Sequence, residues 1–347
     1  MKPERPPSEL LVVMLSAIGD AVHVLPVITA LKRAWPQTRI SWVIQPVPAQ
    51  LVEDHPAVDE LILFNRRRGL SGLRSFKEIR SLLTGRRFDL VLDLQVYFKA
   101  GVITSMANAG RKLGFDRQRA RDLNWLFTTE KLEPHPIQHV QDQYFEFLEH
   151  LGVDCEPVRW DLFLTDAEKA ARDRFFGSLE DPAAAVVLAT SKPAKNWTPE
   201  GYARVLDALH ADHGMTPVIV GGPSRAEREM ADRTLTLCRA PAVDALGPGL
   251  RRLLYLLDGA RLVISPDTGP LHMARAMETP VVGLYGYTNP KRYGPYRKYQ
   301  DLIVDGYRRS ADEDYPPTME YRDGMKRINA DMVMEKVELA LERYPPR

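Results

Sequence analysis

Apolar and polar positions along the chain alternate between short, uniformly apolar segments and longer segments with the periodicity of an amphipathic helix. The segment ELLVVMLSAIGDAVHVLPVITALKRAWP predicts a strand, a Ser/Gly/Asp turn and a helix whose apolar face runs from Val24 to Trp35. Proline is tolerated best near the start of a helix, so Pro26 predicts a helix that begins near residues 23 to 25. The chain therefore opens with a strand-turn-helix unit.

The same order of elements repeats through the second half of the chain. Thr198 and Pro199 suit the N-cap and the first position of one of the later helices. Strands that alternate with helices form parallel sheets joined by right-handed crossovers. The further predicted strands are RISWVI, VDELILF and FDLVLDLQ in the first half, and AAAVVLAT, MTPVIVGG, RLVISPD and PVVGLYG in the second.

The length of 347 residues suits two domains of roughly 150 residues each. We predict an α/β protein with one domain at residues 1–165 and a second at residues 166–329. Tandem α/β domains bind ligands at the carboxyl ends of their strands, in the crevice between the domains. A final amphipathic helix at residues 330–345 is expected to pack back across the first domain.

The charge of the chain is nearly balanced overall but uneven along its length. A formal net charge of +1 argues against a surface built for nucleic acid. Between Arg66 and Arg121, however, 14 Lys and Arg accompany only 4 Asp and Glu. This excess favours an anionic partner for the first half, either an anionic acceptor molecule or the anionic face of a membrane.

The cysteine content and the N-terminal segment bear on the cellular compartment. Cys155 and Cys238 lie far apart and lack CxxC spacing, so they suggest neither a disulfide framework nor a zinc site. The apolar run LLVVML is far shorter than the ~18 residues of a membrane-spanning helix. We expect a reduced, cytoplasmic setting and no segment that crosses a membrane.

The triplet Asp267-Thr268-Gly269 lies between a predicted strand and a predicted helix. Aspartic proteases carry the same triplet, but they need two copies on an all-β frame, and this chain has one copy in a strand-helix-strand context. A turn at a helix N-terminus exposes backbone N–H groups that favour a phosphate, and His272 lies one turn further on. The residues alone leave two interpretations: an anion-binding turn, or a helix cap with His272 as a structural histidine.

Two other loops are predicted to reach the same edge of that sheet. GLYGYTNPKRYGP follows the last strand, and TSKPAKNW follows the first strand of the second half. Either Lys192 or Lys195 has the length and charge to contact a phosphate, although a surface position explains each lysine equally well. The chain has no Walker A, GxGxxG or GxSxG motif, which argues against P-loop NTPases, dinucleotide oxidoreductases and α/β-hydrolases.

Asp20 and two histidine pairs are the remaining candidates for chemistry. Asp20 lies on the turn between the first strand and helix, where it is either a helix cap or, at the mouth of a cleft, a general base for an acceptor hydroxyl. His135 with His139, and His210 with His213, have spacings that a metal could use, but no third ligand accompanies them. No metal site is predicted.

Several of these segments together resemble a known family. LLVVMLSAIGDAVHVLP, VLDLQVYFKAG, TSKPAKNWTPEGYARVL and VISPDTGPLHMARAMETPVVGLYGYTNPKRYG resemble the lipopolysaccharide heptosyltransferases of glycosyltransferase family 9, most closely the heptosyltransferase I type. The resemblance runs from about residue 10 to residue 300. It implies a GT-B fold, in which two Rossmann-like doubly wound domains face each other across a cleft. The first domain would bind the acceptor and the second the nucleotide sugar.

The resemblance also implies roles for individual residues. Asp20 would be the catalytic base that activates an acceptor hydroxyl, and the activated oxygen would displace ADP from the heptose anomeric carbon in one inverting step. No metal and no cofactor would be needed. The residues implied in donor binding are Thr190, Ser191, Lys195, Glu227, Asp267, Thr268, Gly269 and His272, with Asp267 on the heptose hydroxyls and Glu227 at the adenosine ribose.

The basic first half acquires a role under the same resemblance. The residues implied in recognition of the acidic Kdo sugars and lipid A phosphates of the acceptor are Arg66, Arg67, Lys99 and Arg121. The expected function is heptose transfer from ADP-heptose to a Kdo-containing lipid A acceptor in the lipopolysaccharide inner core. The expected location is the cytoplasmic side of the inner membrane of a Gram-negative-type bacterium, peripherally attached, with no nucleic-acid partner. The alternatives are a family 9 enzyme with another sugar nucleotide or a capsule or protein acceptor, a sugar-nucleotide epimerase, and a non-catalytic nucleotide-sugar-binding protein.

Overall fold

The computed structural model describes residues 6–67, 72–310 and 312–346, and the chain divides into two compact units. The first unit comprises Met1–Pro136 and Val140–Leu162, and the second comprises Ile137–His139 and Phe163–Arg347. The change of unit at Leu162 lies close to the boundary expected at residue 165. The short segment Ile137–His139 belongs to the second unit because His139 Nε2 lies 3.0 Å from the Gly294 carbonyl oxygen.

The described part of the first unit is a parallel sheet flanked by helices. Its strands are β1 (Glu9–Val13), β2 (Arg39–Ile44), β3 (Glu60–Leu63), β4 (Arg87–Asp93), β5 (Asn108–Gly114) and β6 (Glu130–Lys131). Its helices are α1 (Ile18–Ala34), α2 (Pro46–Val52), α3 (Gly72–Leu83), α4 (Phe98–Met106) and α5 (Val140–His150). The strand order is β3-β2-β1-β4-β5-β6, so the direction of winding reverses between β1 and β4.

Helix α1 begins earlier than the sequence predicted. It starts at Ile18 rather than near residues 23 to 25, and Pro26 lies inside it. The early start is stabilised by Asp20, whose carboxylate accepts a hydrogen bond from the Ala17 N–H at 2.9 Å. Pro26 costs one helical hydrogen bond, but the helix is buried along most of its length, so tertiary packing outweighs the local preference. Asp20 therefore lies in the first turn of the helix and not in the preceding loop.

The second unit repeats the architecture of the first. Its described strands are β7 (Ala183–Val187), β8 (Thr216–Gly221), β9 (Val243–Leu246), β10 (Leu262–Pro266), β11 (Val281–Tyr285) and β12 (Ile303–Asp305). Its described helices are α6 (Asp166–Phe176), α7 (Pro199–Ala211), α8 (Arg225–Leu237), α9 (Leu250–Gly259), α10 (Gly269–Ala276), α11 (Pro290–Tyr293) and α12 (Ala330–Arg343). The order β12-β11-β10-β7-β8-β9 is again parallel throughout and reverses between β10 and β7. The predicted α/β class with two doubly wound sheets is confirmed.

Helix α12 belongs to the second unit, whereas the sequence predicted a helix that packs back across the first. Its buried side chains Ala330, Val333, Val337 and Ala340 recur at helical spacing, and the helix packs against α7, β11 and β12. The segment before it is tied to the same unit, because the Trp197 indole N–H donates to the Ile328 carbonyl at 3.0 Å. The helix is amphipathic, as the sequence indicated, and its apolar face covers the edge of the second sheet.

Among the described residues, no helix combines the length and the apolar character needed to span a bilayer.

Candidate active site

Apart from Glu227, the donor-site candidates of the second unit lie where its sheet reverses. The loop after β7 carries Thr190 to Lys195, and the loop after β10 carries Asp267 to Gly269. These two strands are neighbours in the sheet, so their carboxyl ends open at the topological switch point. Open α/β sheets bind ligands at this position. The loop after β11, which the sequence predicted to reach the same edge, brings Thr288 to the cluster.

Asp267 is the centre of this cluster. Its Oδ2 accepts hydrogen bonds from Lys195 Nζ at 2.7 Å and from the Thr288 hydroxyl at 2.6 Å. Lys195 Nζ also donates to the Asp267 backbone carbonyl at 3.1 Å, and His272 Nε2 lies 3.6 Å from Oδ1. Residues from two other loops and one helix are therefore fixed on a single carboxylate.

The electrostatics of the cluster keep this buried carboxylate ionised. Asp267 is 5% exposed, and burial alone would raise its pKa. The hydrogen bond from His272 and the charge of Lys195 outweigh burial and hold the pKa of Asp267 well below its usual value. An ammonium has three donors, and Asp267 takes two of them, so one N–H of Lys195 is left for a further acceptor.

The turn at Thr268 and Gly269 opens helix α10 without a side-chain cap. Thr268 occupies the N-cap position in an extended conformation, and its hydroxyl makes no capping hydrogen bond. Pro270 follows in the first turn, where its missing N–H is no loss. The first turn of α10 therefore presents backbone N–H groups and the positive end of the helix dipole beside the Lys195 ammonium, an arrangement that suits a phosphate.

The loop after β7 is held by its own side chains. The Thr190 N–H donates to Asn196 Oδ1 at 2.8 Å, and the Thr190 hydroxyl donates to the Lys192 carbonyl at 2.8 Å. Thr190 is buried, whereas Ser191 and Lys192 are exposed. Thr190 thus fixes the conformation of the loop, and the Ser191 side chain is exposed to solvent.

Lys192 has a setting that the sequence did not reveal. Its ammonium lies 4.5 Å from the centre of the Tyr287 ring and 4.0 Å from that of Tyr321, and the two rings stack 4.8 Å apart. The hydrogen bond with Tyr287 raises the pKa of Lys192. Within the described residues no carboxylate pairs with it. Tyr287 lies in the loop that the sequence singled out, but Tyr321 lies in a segment without any motif.

Glu227 occupies the first turn of α8, beyond the carboxyl end of β8. Its carboxylate accepts hydrogen bonds from the Gly222 N–H at 2.6 Å and from the Ser224 hydroxyl at 2.5 Å, and the Ser224 hydroxyl accepts from the Glu227 N–H in return. This is a capping box. Glu227 lies at the same sheet edge as Asp267, but its oxygens are committed to the turn.

In the first unit, Asp20 lies beyond the carboxyl end of β1, beside the reversal of that sheet. Besides the Ala17 N–H on Oδ2, its Oδ1 accepts a hydrogen bond from the Tyr144 hydroxyl of α5 at 3.4 Å. The side chain is half-buried. Two donors hold the carboxylate in place, and sequence reasoning had no means of finding Tyr144, which lies far away along the chain.

Two residues at the carboxyl end of β4 support the Asp20 turn. The Gln95 side chain accepts from the Leu15 N–H at 3.1 Å and donates to the Ser16 carbonyl at 2.5 Å. Asp93 in turn accepts from the Gln95 N–H at 3.3 Å, from the Thr104 hydroxyl at 2.9 Å and from Asn124 Nδ2 at 3.0 Å. Burial raises the pKa of Asp93 to about 7, although these hydrogen bonds oppose the rise. A polar core thus fixes the loop that leads into Asp20.

The four basic candidates are exposed on the first unit. Arg66 and Arg67 follow β3, Lys99 lies in the first turn of α4 after β4, and Arg121 lies in the segment after β5. All of them therefore lie towards the same edge of the sheet as Asp20. Arg67 pairs with Glu78 of α3 at 2.9 Å, an exposed contact that contributes little to stability.

Groups of three or more His, Cys, Asp or Glu side chains with the geometry to hold a metal ion are absent from the described residues.

Comparison with known proteins places this architecture in a family. The model of glycosyltransferase family 9 (heptosyltransferase) matches residues 76–321. The lipopolysaccharide core heptosyltransferase OpsX of Haemophilus influenzae is 30% identical, over 89% of this chain and 87% of the relative.

Two solved structures extend the comparison to three dimensions. The glycosyl transferase family 9 protein of Veillonella parvula has a TM-score of 0.81 at 24% identity, covering 96% of this chain and 97% of its own. E. coli heptosyltransferase WaaC with ADP-2-deoxy-2-fluoro heptose has a TM-score of 0.71 at 26% identity, covering 95% and 99%.

The predicted GT-B fold and the predicted family are both confirmed, and the two domains that the alternating pattern indicated are the two Rossmann-like units of that fold. The family match spans most of the chain, including α4, the basic segment after β5 and every donor-site candidate. The chain belongs to glycosyltransferase family 9, the heptosyltransferase family, and is a glycosyltransferase.

Proposed function

We propose that this protein transfers L-glycero-D-manno-heptose from ADP-heptose to a Kdo-containing lipid A acceptor in lipopolysaccharide inner-core biosynthesis. The observation that carries the proposal is the cluster on Asp267, which joins Lys195, Thr288 and His272 beside an uncapped helix N-terminus. The related E. coli enzyme with a fluorinated ADP-heptose supports the same class of donor.

The donor is assigned to the second unit by charge and geometry. A diphosphate fits the first turn of α10, where Thr268 and Gly269 offer backbone N–H groups and Lys195 offers its remaining ammonium N–H. Oδ1 of Asp267 keeps acceptor capacity for a sugar hydroxyl. Ser191 and Lys192 border the same loop, and Glu227 lies at the adjoining strand end, where the ribose of the nucleotide is expected.

The chemistry proposed is a single inverting displacement. Asp20 accepts the proton of the acceptor hydroxyl, and the oxygen attacks the anomeric carbon as the bond to the ADP oxygen breaks. Tyr144 and the Ala17 N–H hold the Asp20 carboxylate for this role. The leaving diphosphate gains negative charge, which Lys195 and the α10 amides stabilise in place of a metal ion.

The charge of the first unit supports the proposed acceptor and location. Arg66, Arg67, Lys99 and Arg121 offer cations to the carboxylates of Kdo and to the phosphates of lipid A. A lipid-anchored acceptor requires the enzyme to work at a membrane surface, which we propose to be the cytoplasmic face of the inner membrane.

Release of ADP tests the donor assignment. The protein is incubated with heptose-free Kdo-lipid A and, in separate reactions, with ADP-heptose or with GDP and UDP sugars, each with and without EDTA. We expect release of a nucleoside diphosphate only in the reaction with ADP-heptose, unchanged by EDTA. Turnover only with another nucleotide sugar would replace the donor, and loss of activity in EDTA would refute the metal-independent scheme.

A further inference from the structure

Four large apolar side chains are exposed together on the first unit. Tyr97 and Phe98, at the start of α4, are 47% and 46% exposed. Leu123 and Leu126, at the 3₁₀ turn Asn124–Phe127, are 57% and 56% exposed. We refer to Tyr97, Phe98, Leu123 and Leu126 as the apolar patch. Tyr97 and Phe98 lie in the segment VLDLQVYFKAG that carries the family resemblance, whereas Leu123 and Leu126 lie outside every quoted motif.

The two halves of the apolar patch are held side by side. Asn124 is fully buried, and its Nδ2 donates to the Tyr97 carbonyl at 3.1 Å. The Phe98 and Phe127 rings meet edge to face, with centres 5.4 Å apart. The Leu126 N–H donates to the Leu123 carbonyl at 3.0 Å, so one tight turn holds the two leucines close together. The patch is therefore one surface, whose two segments are joined by the buried Asn124 side chain.

Leu123 has a backbone conformation that is unusual for an exposed leucine. Leu123 has φ of 63° and ψ of 18°, a left-handed conformation that leucine disfavours. Core packing does not explain this leucine, because more than half of it is exposed. Strained residues of this kind occur where the surrounding structure fixes a functional side chain.

Cations flank the apolar patch. Lys99, Arg117 and Arg121 are exposed in the two segments that carry it, and Arg117 lies over the Trp125 ring at 4.9 Å. Asp122 is the single acid between residues 117 and 127. Exposed aromatic and leucine side chains bordered by Lys and Arg match the interface of an anionic bilayer, where the apolar groups enter the headgroup boundary and the cations bind lipid phosphates.

We propose that the apolar patch, with Lys99, Arg117 and Arg121 around it, docks the first unit on an anionic lipid bilayer. The patch follows β4 and β5, at the edge of the sheet where Asp20 also lies. The inference rests on the proposed function only in that a lipid-linked acceptor presents its sugars at such a surface. The occupant is the bilayer, and not the acyl chains of one acceptor molecule or a protein partner.

Flotation of the full chain with vesicles tests the inference without any substrate. We expect the wild type to float with vesicles of phosphatidylcholine and phosphatidylglycerol, and not with phosphatidylcholine alone. Leu123→Asn combined with Leu126→Ser should lower vesicle partition about tenfold or more. Arg117→Glu should lower it by about tenfold, and high salt should mimic that loss. Leu237→Ser, at an equally exposed leucine of the second unit, is the matched control and should float like the wild type.

The Leu123→Asn variant distinguishes a loss of vesicle binding from a loss of folding stability. Asparagine tolerates the left-handed conformation, so Leu123→Asn should leave the melting temperature unchanged or higher while vesicle binding falls. Flotation of this variant like the wild type would overturn the proposal. So would a wild type that binds only vesicles containing the acceptor lipid, which would assign the patch to acyl chains, or one that binds no protein-free vesicle.

Activity separates this inference from the proposed function. The Leu123→Asn, Leu126→Ser variant should keep wild-type turnover on a deacylated, water-soluble Kdo acceptor and lose about tenfold on the acceptor embedded in anionic vesicles. Equal loss on both acceptors would contradict a docking role. If neither acceptor is used even by the wild type, the proposed function fails while the flotation result still decides the docking surface.

Discussion

The pKa values of two buried carboxylates in this protein are shifted in opposite directions by their surroundings. Asp93 and Asp267 are both buried at the ends of central strands. Asp267 has Lys195 and His272 beside it, and its pKa falls. Among the described residues, the donors to Asp93 are all neutral, and burial raises its pKa to about 7. The sequence shows two aspartates after apolar strands and cannot distinguish them, because the partners come from distant parts of the chain.

Asp93 predicts a pH dependence of stability. A carboxyl whose pKa is higher in the folded state contributes stability that is fully present below its unfolded pKa of 3.8 and is lost as the pH rises through about 7. Asp93→Asn should therefore flatten the fall in unfolding free energy across this window, by on the order of 4 kcal/mol. Denaturant unfolding of wild type and variant at both ends of the window measures it, and parallel curves would refute the assignment.

Lys195 and Lys192 lie close together in the sequence, but we expect them to contribute differently to stability. Lys195→Met leaves the buried Asp267 carboxylate without its cation, so the unfolding free energy should fall by about 2 kcal/mol and the donor KM should rise about tenfold or more. Because the pKa of Asp267 is depressed, the contribution of the pair is present at neutral pH and is lost as the pH falls below about 4. Lys192→Met is the matched control for stability and should stay within about 0.5 kcal/mol. Equal stability losses would show that the pair with Asp267 is unimportant.

At the scale of elements, the strand-helix alternation was predictable, and the weaker strands were not. The segment RISWVI is the strand Arg39–Ile44, as its apolar run indicated. The strand Asn108–Gly114 reads NAGRKLG, with a composition poor in strand formers, and it is a strand because β4 and β6 pair with its backbone on both sides. The early start of α1 was missed for a related reason, since tertiary burial overrides the preference of Pro26 for a first turn.

Two substitutions of Glu227, at the start of helix α8, distinguish its role as a helix cap from a role in donor binding. Glu227→Gln keeps one acceptor oxygen for the Gly222 N–H and turns its amide NH₂ towards Ser224, so stability should fall by only about 0.5 kcal/mol. Glu227→Ala removes the cap and should cost about 1 kcal/mol. If Glu227 also contacts the donor ribose, both variants should raise the donor KM. A KM that rises only in the alanine variant would mean that Glu227 is a helix cap and nothing more.

At the scale of the whole molecule, the uneven charge predicts a division of labour between the units. Reversal of Arg66 and Arg67 to Glu should raise the acceptor KM about tenfold at low salt and leave the donor KM unchanged, because the charge change is confined to the first unit. Arg225→Glu, on the exposed face of α8 in the second unit, is the control and should leave the acceptor KM unchanged. A rise in the donor KM alone would place acceptor recognition elsewhere.

The family assignment and the fold were within reach of the sequence, whereas the arrangement of the site was only partly so. The Asp-Thr-Gly turn and Lys195 could be placed at one sheet edge, because loops after neighbouring parallel strands meet there. The contact of Thr288 with Asp267 joins two loops that the sequence placed at one sheet edge, but the contacts of Tyr144 with Asp20 and of Lys192 with Tyr321 join segments with no shared motif. Only the folded chain shows them.

Mass spectrometry of the lipid product tests the central claim most directly. ADP-heptose and heptose-free Kdo-lipid A are incubated with wild type, with Asp20→Asn and with Tyr144→Phe, whose melting temperatures are checked first. Asn keeps the acceptor for the Ala17 N–H, so the start of α1 should be preserved. We predict a lipid heavier by one heptose from the wild type, a modest loss for Tyr144→Phe, and a rate reduced by about 10²–10⁴ for Asp20→Asn. Turnover above about a tenth of wild type in a folded Asp20→Asn protein, or no heptosylated lipid from the wild type, would contradict the account.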